Sequence, residues 1–174
     1  MFTNPEITVD ELPSAAQVEW QLLDRRYVMR LQVKALISGG IALAALLLAR
    51  LSGLPIPLGA PYALAWIVVG MLTAAGLLWP IWSVPRKRYA VRDKDILYRA
   101  GVFWQSVTAI PFNRMQHVET SSTPLDRRFG LATLQLFTAG GAGGDLKIHG
   151  LPADIAERLR TFMLERIGGD TERD

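Results

Sequence analysis

Two long stretches without a central charge constrain this chain more than any other feature. The first, "LQVKALISGGIALAALLLARL", covers residues 31–51 and is fully apolar from Ala35 up to Arg50. The second, "PYALAWIVVGMLTAAGLLWPIWSV", covers residues 61–84 and carries no charge at all. At the rise of an α-helix they reach about 30 Å and about 36 Å, which matches a hydrocarbon core of about 30 Å. The alternative, a pair of buried soluble helices, suits runs of this length and purity poorly. Lys34 and Arg50 stand at the ends of the first run, where long side chains can snorkel to the headgroups. A central charge would oppose insertion by about 2.5–3.5 kcal/mol. Tyr62, Trp79 and Trp82 lie near the ends of the second run, as interfacial aromatics do, and Pro80 is expected to kink or end its helix.

Between the runs, "SGLPIPLGA" (residues 52–60) holds two prolines and two glycines and no charge, and reads as a tight turn between antiparallel helices. Arg25, Arg26, Arg30 and Lys34 precede the hairpin and Arg86, Lys87 and Arg88 follow it, while Arg50 alone borders the turn. By the positive-inside rule both termini are expected in the cytoplasm. A cleaved signal peptide fits poorly, because the first apolar run starts late and lacks a small-residue cleavage pattern. Gly39, Gly40, Ala44, Gly70, Ala74 and Gly76 are small residues suited to packing the two helices together. No Asp, Glu or His lies within either span, so a proton relay or ion path has no candidate residue. Upstream, Ala16, Trp20, Leu23, Tyr27 and Leu31 fall at helical spacing after a Ser14 cap, predicting in a cytoplasmic segment 1–30 an amphipathic helix that is either interfacial or the cytoplasmic extension of the first span.

The remaining composition excludes several chemistries. Among 174 residues there is no cysteine, which removes disulfides, thiolate metal sites and cysteine nucleophiles. A net charge of +3 is too mild for a dedicated nucleic-acid binder.

From Arg88 onward the pattern changes to short runs broken by turn residues: "RYAV", "ILYRAGVFWQSVTAIPF", "MQHVETSST", "LATLQLFT" and "DLKIHG". Leu134 and Leu136 alternate with Gln135, and Leu146 and Ile148 with Lys147 and His149. Six or seven short strands with close turns predict an antiparallel meander. The chain then changes to "PADIAERLRTFMLERIGG", with Pro152 expected in the first helical turn and Gly168 and Gly169 as stop signals. Ile155, Leu159, Phe162, Met163 and Ile167 make one apolar stripe, expected to cover the open end of a small β-roll. The predicted class is therefore α+β: a transmembrane helical hairpin (31–84), a cytoplasmic domain (85–168) of antiparallel strands capped by a C-terminal helix, and a short tail (169–174).

The stretch "IPFNRMQHVETSSTPLDRRFGLATLQLFTAGG" (residues 110–141) resembles the bacterial pleckstrin-homology (PH) family of YdbS-like membrane proteins. "RMQHV", "PLDRRFG", "LATLQLFTAGG" and the closing helix carry the resemblance, and two preceding spans agree with it. The resemblance implies a PH-like roll and a companion membrane protein carrying several such domains. It implies no catalytic activity.

Candidate sites are few. "TAGGAGGD" (residues 138–145) has the glycine density of a phosphate loop but neither GxxxxGK[ST] nor GxGxxG, and a strand pattern follows it where a helix would be needed. It reads as a hairpin turn. Arg92, Lys94 and Arg99 lie where eukaryotic PH domains bind inositides, but Asp93 and Asp95 oppose an anion there. Arg86, Lys87 and Arg88 are expected at the membrane interface, each attracted to anionic lipid by about 1 kcal/mol. Arg127 and Arg128 are candidates for a partner or anion contact, against a plainer reading of "PLDRRFG" as a solvated turn with a local ion pair. His117 and His149 lack a carboxylate cluster, so no metal is expected, and Ser121, Ser122 and Thr123 read as turn chemistry. An enzyme would need His117, Glu119 and Arg128 to meet in a pocket. The expectation is a non-enzymatic module with no cofactor, no small-molecule substrate and no nucleic acid. Its partners would be the lipid bilayer and either a second copy or a larger PH-domain membrane protein, with lipid-headgroup binding as the alternative.

Overall fold

The computed structural model describes residues 18–52, 59–138 and 146–171. Two helices form an antiparallel hairpin, α1 (Arg26–Leu51) and α2 (Ala60–Ser83), both long and apolar enough to cross a bilayer. Their side chains are mostly exposed, as a lipid-facing pair requires, and a soluble core helix would instead be buried. The turn expected between them falls at residues 53–58, outside the described residues.

Small residues set the distance between the two helices, but fewer of them than expected. A Cβ at Gly39 would lie 2.3 Å from Thr73 Oγ1, and one at Gly76 would lie 2.8 Å from Ala35 Cβ. Gly40 and Gly70 meet nothing within 4 Å and face outward. Two polar bonds staple the pair: Gln32 Nε2 donates to the Leu77 carbonyl (3.1 Å) and the Tyr62 hydroxyl to the Leu46 carbonyl (3.0 Å). Pro80 stays inside α2. Its missing N–H leaves the Gly76 carbonyl unserved in that turn, and the Gln32 bond falls one residue away.

The expected helix before the first span is corrected at residues 21–22, while from Arg26 onward the helix is an extension of the first span. Gln21–Leu22 is a short strand, β1, paired antiparallel with β2 (Arg88–Val91), and residues 1–17, which include Ser14 and Ala16, lie outside the described residues. The helix starts late because the Asp24 carboxylate accepts the Arg26 backbone N–H at 2.7 Å and turns the chain there. Leu23 and Tyr27, which belonged to the helical stripe, instead enter the core of the following domain.

That domain has two antiparallel sheets. One runs β1-β2-β3-β4, with β3 at Asp95–Ala100 and β4 at Ser106–Pro111. The other runs β5-β6-β7, formed by Met115–Ser121, Leu131–Thr138 and Leu146–Pro152. Within each sheet consecutive strands are neighbours, as a meander requires, and the chain passes from one sheet to the other between β4 and β5. The glycine-rich turn at 139–145 lies outside the described residues, but the strands flanking it pair antiparallel from Leu136↔Leu146 onward. Alternation decides the core: Val118, Leu134, Leu136 and Ile148 are buried while Lys147 and His149 face solvent.

The C-terminal helix α4 (Ala153–Thr171) closes this core with Ala156 and Met163, both fully buried, flanked by Leu159 and Phe162. Phe162 meets Phe112 edge-on at 5.9 Å, which joins the helix to the crossover between the sheets. Pro152 ends β7 and does not enter the helix, and α4 runs through Gly168 and Gly169 to Thr171. A helical glycine costs only about 1 kcal/mol, too little to stop a helix that is docked upstream.

Candidate functional site

Charged side chains gather where α1 meets the domain, around a turn whose structure differs from the one expected. "PLDRR" is a short helix, α3 (Pro124–Arg128), with Thr123 as its cap. Asp126 N–H donates to Thr123 Oγ1 (3.1 Å), while Asp126 Oδ2 accepts from the Thr123 backbone N–H (3.0 Å) and hydroxyl (2.6 Å). This is a reciprocal capping box. The carboxylate is 5% exposed and pairs with Arg30 of α1, through Nε (2.7 Å) and Nη2 (3.3 Å). The expected solvated turn with a local ion pair is thus corrected: Asp126 is buried, and its partner is Arg30, not Arg127 or Arg128.

Burial works against the Asp126 charge. The Thr123 hydrogen bonds and the Arg30 guanidinium outweigh it and hold the carboxyl below its ordinary pKa. Beside this pair, Tyr27 packs against Gly150 of β7, whose φ is +78° and whose lack of a side chain makes room for the ring. A Cβ there would lie 2.4 Å from Tyr27 Cγ. The Asp24 backbone N–H donates to the Gly150 carbonyl at 3.1 Å, fixing the same junction through the main chain.

The basic triplet after α2 divides among three environments. Arg86 Nη1 donates to the Trp82 carbonyl, closing the last turn of the second span. Lys87 turns inward and sets its ammonium 5.9 Å from the centre of the Tyr27 ring, and burial pushes its pKa down. Arg88 is exposed on β2, directly opposite Arg99 of β3. His149 accompanies the cluster, its Nδ1 3.0 Å from Thr133 Oγ1. Partial desolvation, then the Lys87 and Arg30 charges, hold its pKa below the ordinary value.

The other candidates are scattered. Arg127 and Arg128 are exposed, and Arg128 shares an open cleft of about 590 Å³ with Arg26, Met29, Phe129 and Gly130. His117 and Glu119 lie on β5, where His117 stacks near Phe137, and neither lines that cleft. The three residues an enzyme reading needed are therefore not brought together there. Among the described residues, no three His, Asp or Glu side chains gather to hold a metal. Arg92 is paired with Asp95, and Arg99 with Gln105. A second cleft of about 700 Å³, mostly apolar, opens where α1 begins and α2 ends, between Leu22, Val28, Ile81 and Pro85.

Sequence reasoning missed the Arg30–Asp126 pair and the Tyr27–Gly150 contact. "TPLD" carried a readable signal for the cap, Ser/Thr followed three residues on by an acid with proline at the first helical position. Nothing local pointed to Arg30, which is 96 positions away.

A family profile described as the bacterial PH domain matches residues 30–167, from Arg30 through the closing helix. The chain belongs to the bacterial PH domain family. The matched region begins inside α1 and so spans the hairpin as well as the roll. A curated relative, the UPF0699 transmembrane protein YdbS of Bacillus subtilis (strain 168), is 30% identical over 119 residues, covering 63% of this chain and 70% of the relative. No solved structure matches the chain. It is thus a bacterial PH domain protein of YdbS-like type, with two candidate spans ahead of the domain.

Proposed function

We propose that this bacterial PH domain protein is a non-enzymatic interaction module, held at the cytoplasmic face of the bacterial inner membrane. It assembles there with itself or with a larger PH-domain membrane protein. The observation that carries the reading is the outer edge of β4. This strand has a neighbour on one side only among the described residues, and residues 106–109 are all exposed. An open edge offers unpaired backbone groups to another strand. The junction of α1 with β7 and α3 supports the reading too, because it fixes the domain, and with it that edge, relative to the hairpin. The cationic flanks Arg25, Arg26, Arg30 and Lys34 on one side and Arg86, Lys87 and Arg88 on the other support cytoplasmic termini.

Crosslinking of the full chain in mild detergent should recover a discrete complex. Val107→Lys combined with Ala109→Lys, both on exposed positions of β4, should dissolve it without unfolding the domain. A lone monomer under every such condition would sink the assembly reading.

One observation favours a second reading, anionic-lipid headgroup binding. Arg88 and Arg99 are direct cross-strand partners, and like charges in that position repel unless an anion joins them. Native mass spectrometry should then find anionic lipid retained by the wild type and lost when Arg86 and Arg88 become glutamine. Equal retention rejects this reading.

A further inference from the structure

The most exposed large apolar side chains of the domain sit together on one loop tip, residues 101–105 between β3 and β4. Phe103 is 78% and Trp104 is 89% exposed. The loop is built to hold them there. Gly101 adopts φ +124°, and a Cβ at that position would fall 1.8 Å from the Trp104 carbonyl oxygen, so only glycine allows the turn. At its base, Ala100 and Ser106 are the last cross-strand pair, Ser106 Oγ reaches the Ala100 carbonyl at 3.4 Å, and Arg99 Nη2 donates to Gln105 Oε1.

The tip does not project into open solvent at an arbitrary height. The Phe103 ring lies 6.1 Å from the ring of Trp79 in α2, and Trp104 meets Phe103 edge-on at 6.5 Å. Trp79 is four residues before the end of a 24-residue helix, so it lies about 6 Å inside that end. A helix about 36 Å long overhangs a core of about 30 Å by a few ångströms at each side. Trp79, and with it Phe103, therefore comes to the boundary between acyl chains and headgroups, where tryptophan rings concentrate. Across the sheet from the tip, Leu22, Arg88, Arg99 and Val107 form one cross-strand row, with the two arginines adjacent.

We propose that the β3–β4 loop is a third membrane contact, in which Phe103 and Trp104 insert at the headgroup–acyl boundary while Arg88 and Arg99 take the phosphates of anionic lipids. The occupant of the aromatic tip is the bilayer, because the tip is continuous with the Trp79 and Trp82 surface of the second span. The proposal rests on α2 crossing the bilayer and not on self-assembly, and it adds an apolar anchor to the headgroup reading.

The chain has no cysteine, so single-cysteine spin labels can be placed in the full protein without background. Trp104→Cys, Trp82→Cys and Glu165→Cys would each be labelled in bilayers of phosphatidylcholine and phosphatidylglycerol. Glu165 is exposed on α4, next to Arg166, which contacts Asp93 at the opposite end of β3 from the loop. Power saturation should show oxygen dominating over a water-soluble nickel chelate at 104 and at 82, with the reverse at 165. Arg88→Gln with Arg99→Gln should raise nickel accessibility at 104 and leave 82 unchanged, and no change at 104 would overturn the role of the arginines. A label at 104 as accessible to nickel as that at 165 overturns insertion. If 82 stays lipid-like in that case, the hairpin stands and only the loop contact fails. Spin–spin broadening at 104 that vanishes on dilution with unlabelled protein would also overturn it, by showing a second copy on the tip.

Discussion

Asp126 shows how one residue carries the attachment of the domain to the membrane part. It caps α3 with one set of bonds and binds Arg30 of α1 with another, so the same carboxylate serves a local and a long-range purpose. Breaking a buried pair by removing one partner typically costs 3–5 kcal/mol, since the other charge is left without compensation. Asp126→Asn should therefore lower stability by about 3 kcal/mol at pH 7, read by thermal unfolding in detergent. The pH dependence has a definite sign. The folded carboxyl has a depressed pKa. Its contribution is therefore complete above the unfolded value of about 3.9 and disappears as pH falls through the lower folded value. The gap in melting temperature between wild type and Asp126→Asn should be constant from pH 7 to about pH 5 and close below about pH 4. A gap that persists unchanged at lower pH would mean the carboxylate charge is not what stabilises the junction.

At the scale of elements, the hairpin depends on which side of each helix its small residues occupy. Gly39 and Gly76 face the partner helix at sub-contact distances, and Gly40 and Gly70 face away. Leucine at Gly39 or Gly76 should force α1 and α2 apart, with an overpacking penalty of about 1–3 kcal/mol. Leucine at Gly40 or Gly70 should be accepted, because the added side chain enters open space. Comparing the folded fraction of the four variants after detergent challenge checks the asymmetry, and equal behaviour of all four would count against this packing. The sequence placed both groups in the spans with small-residue spacing, but not on the correct faces. Spacing alone leaves the rotation of each helix about its axis undetermined.

For the whole molecule, the question is whether domain and hairpin move as one. The Tyr27–Gly150 contact, the Asp24–Gly150 backbone bond and the Arg30–Asp126 pair lie side by side at the start of α1. Gly150→Ala would place a side chain at positive φ, costing about 1–2 kcal/mol, and drive a methyl group into the Tyr27 ring. Adding Tyr27→Ala to that variant should recover the steric part, so the double mutant would be less destabilised than the sum of the two single changes. Limited trypsin digestion supplies a second readout: cleavage at residues 86–88, the link between α2 and β2, should accelerate in Gly150→Ala. Strict additivity with unchanged cleavage would show that the contact does not couple the two parts.

The division between sequence and tertiary structure follows from the range of the interactions. Hydrophobic runs of helical length, the switch to period-two alternation after Arg88 and the apolar stripe of the last helix are local patterns. They were enough to specify two candidate spans, an antiparallel roll and a closing helix, and "RMQHV", "PLDRRFG" and "LATLQLFTAGG" together with that helix indicated the family. The strand at Gln21–Leu22 was not legible, because its helical spacing is overridden by pairing with β2, some 67 positions on. The junction was not legible either. Arg30 and Asp126, Tyr27 and Gly150, and Trp79 and Phe103 each meet across long separations, and each of these residues has an ordinary local role as a flanking charge, a turn residue or an interfacial aromatic. Local free energies determine the elements. Only the packed chain decides which of their exposed or charged side chains face one another, and for this protein those meetings set the position of the PH-like domain on the helical hairpin.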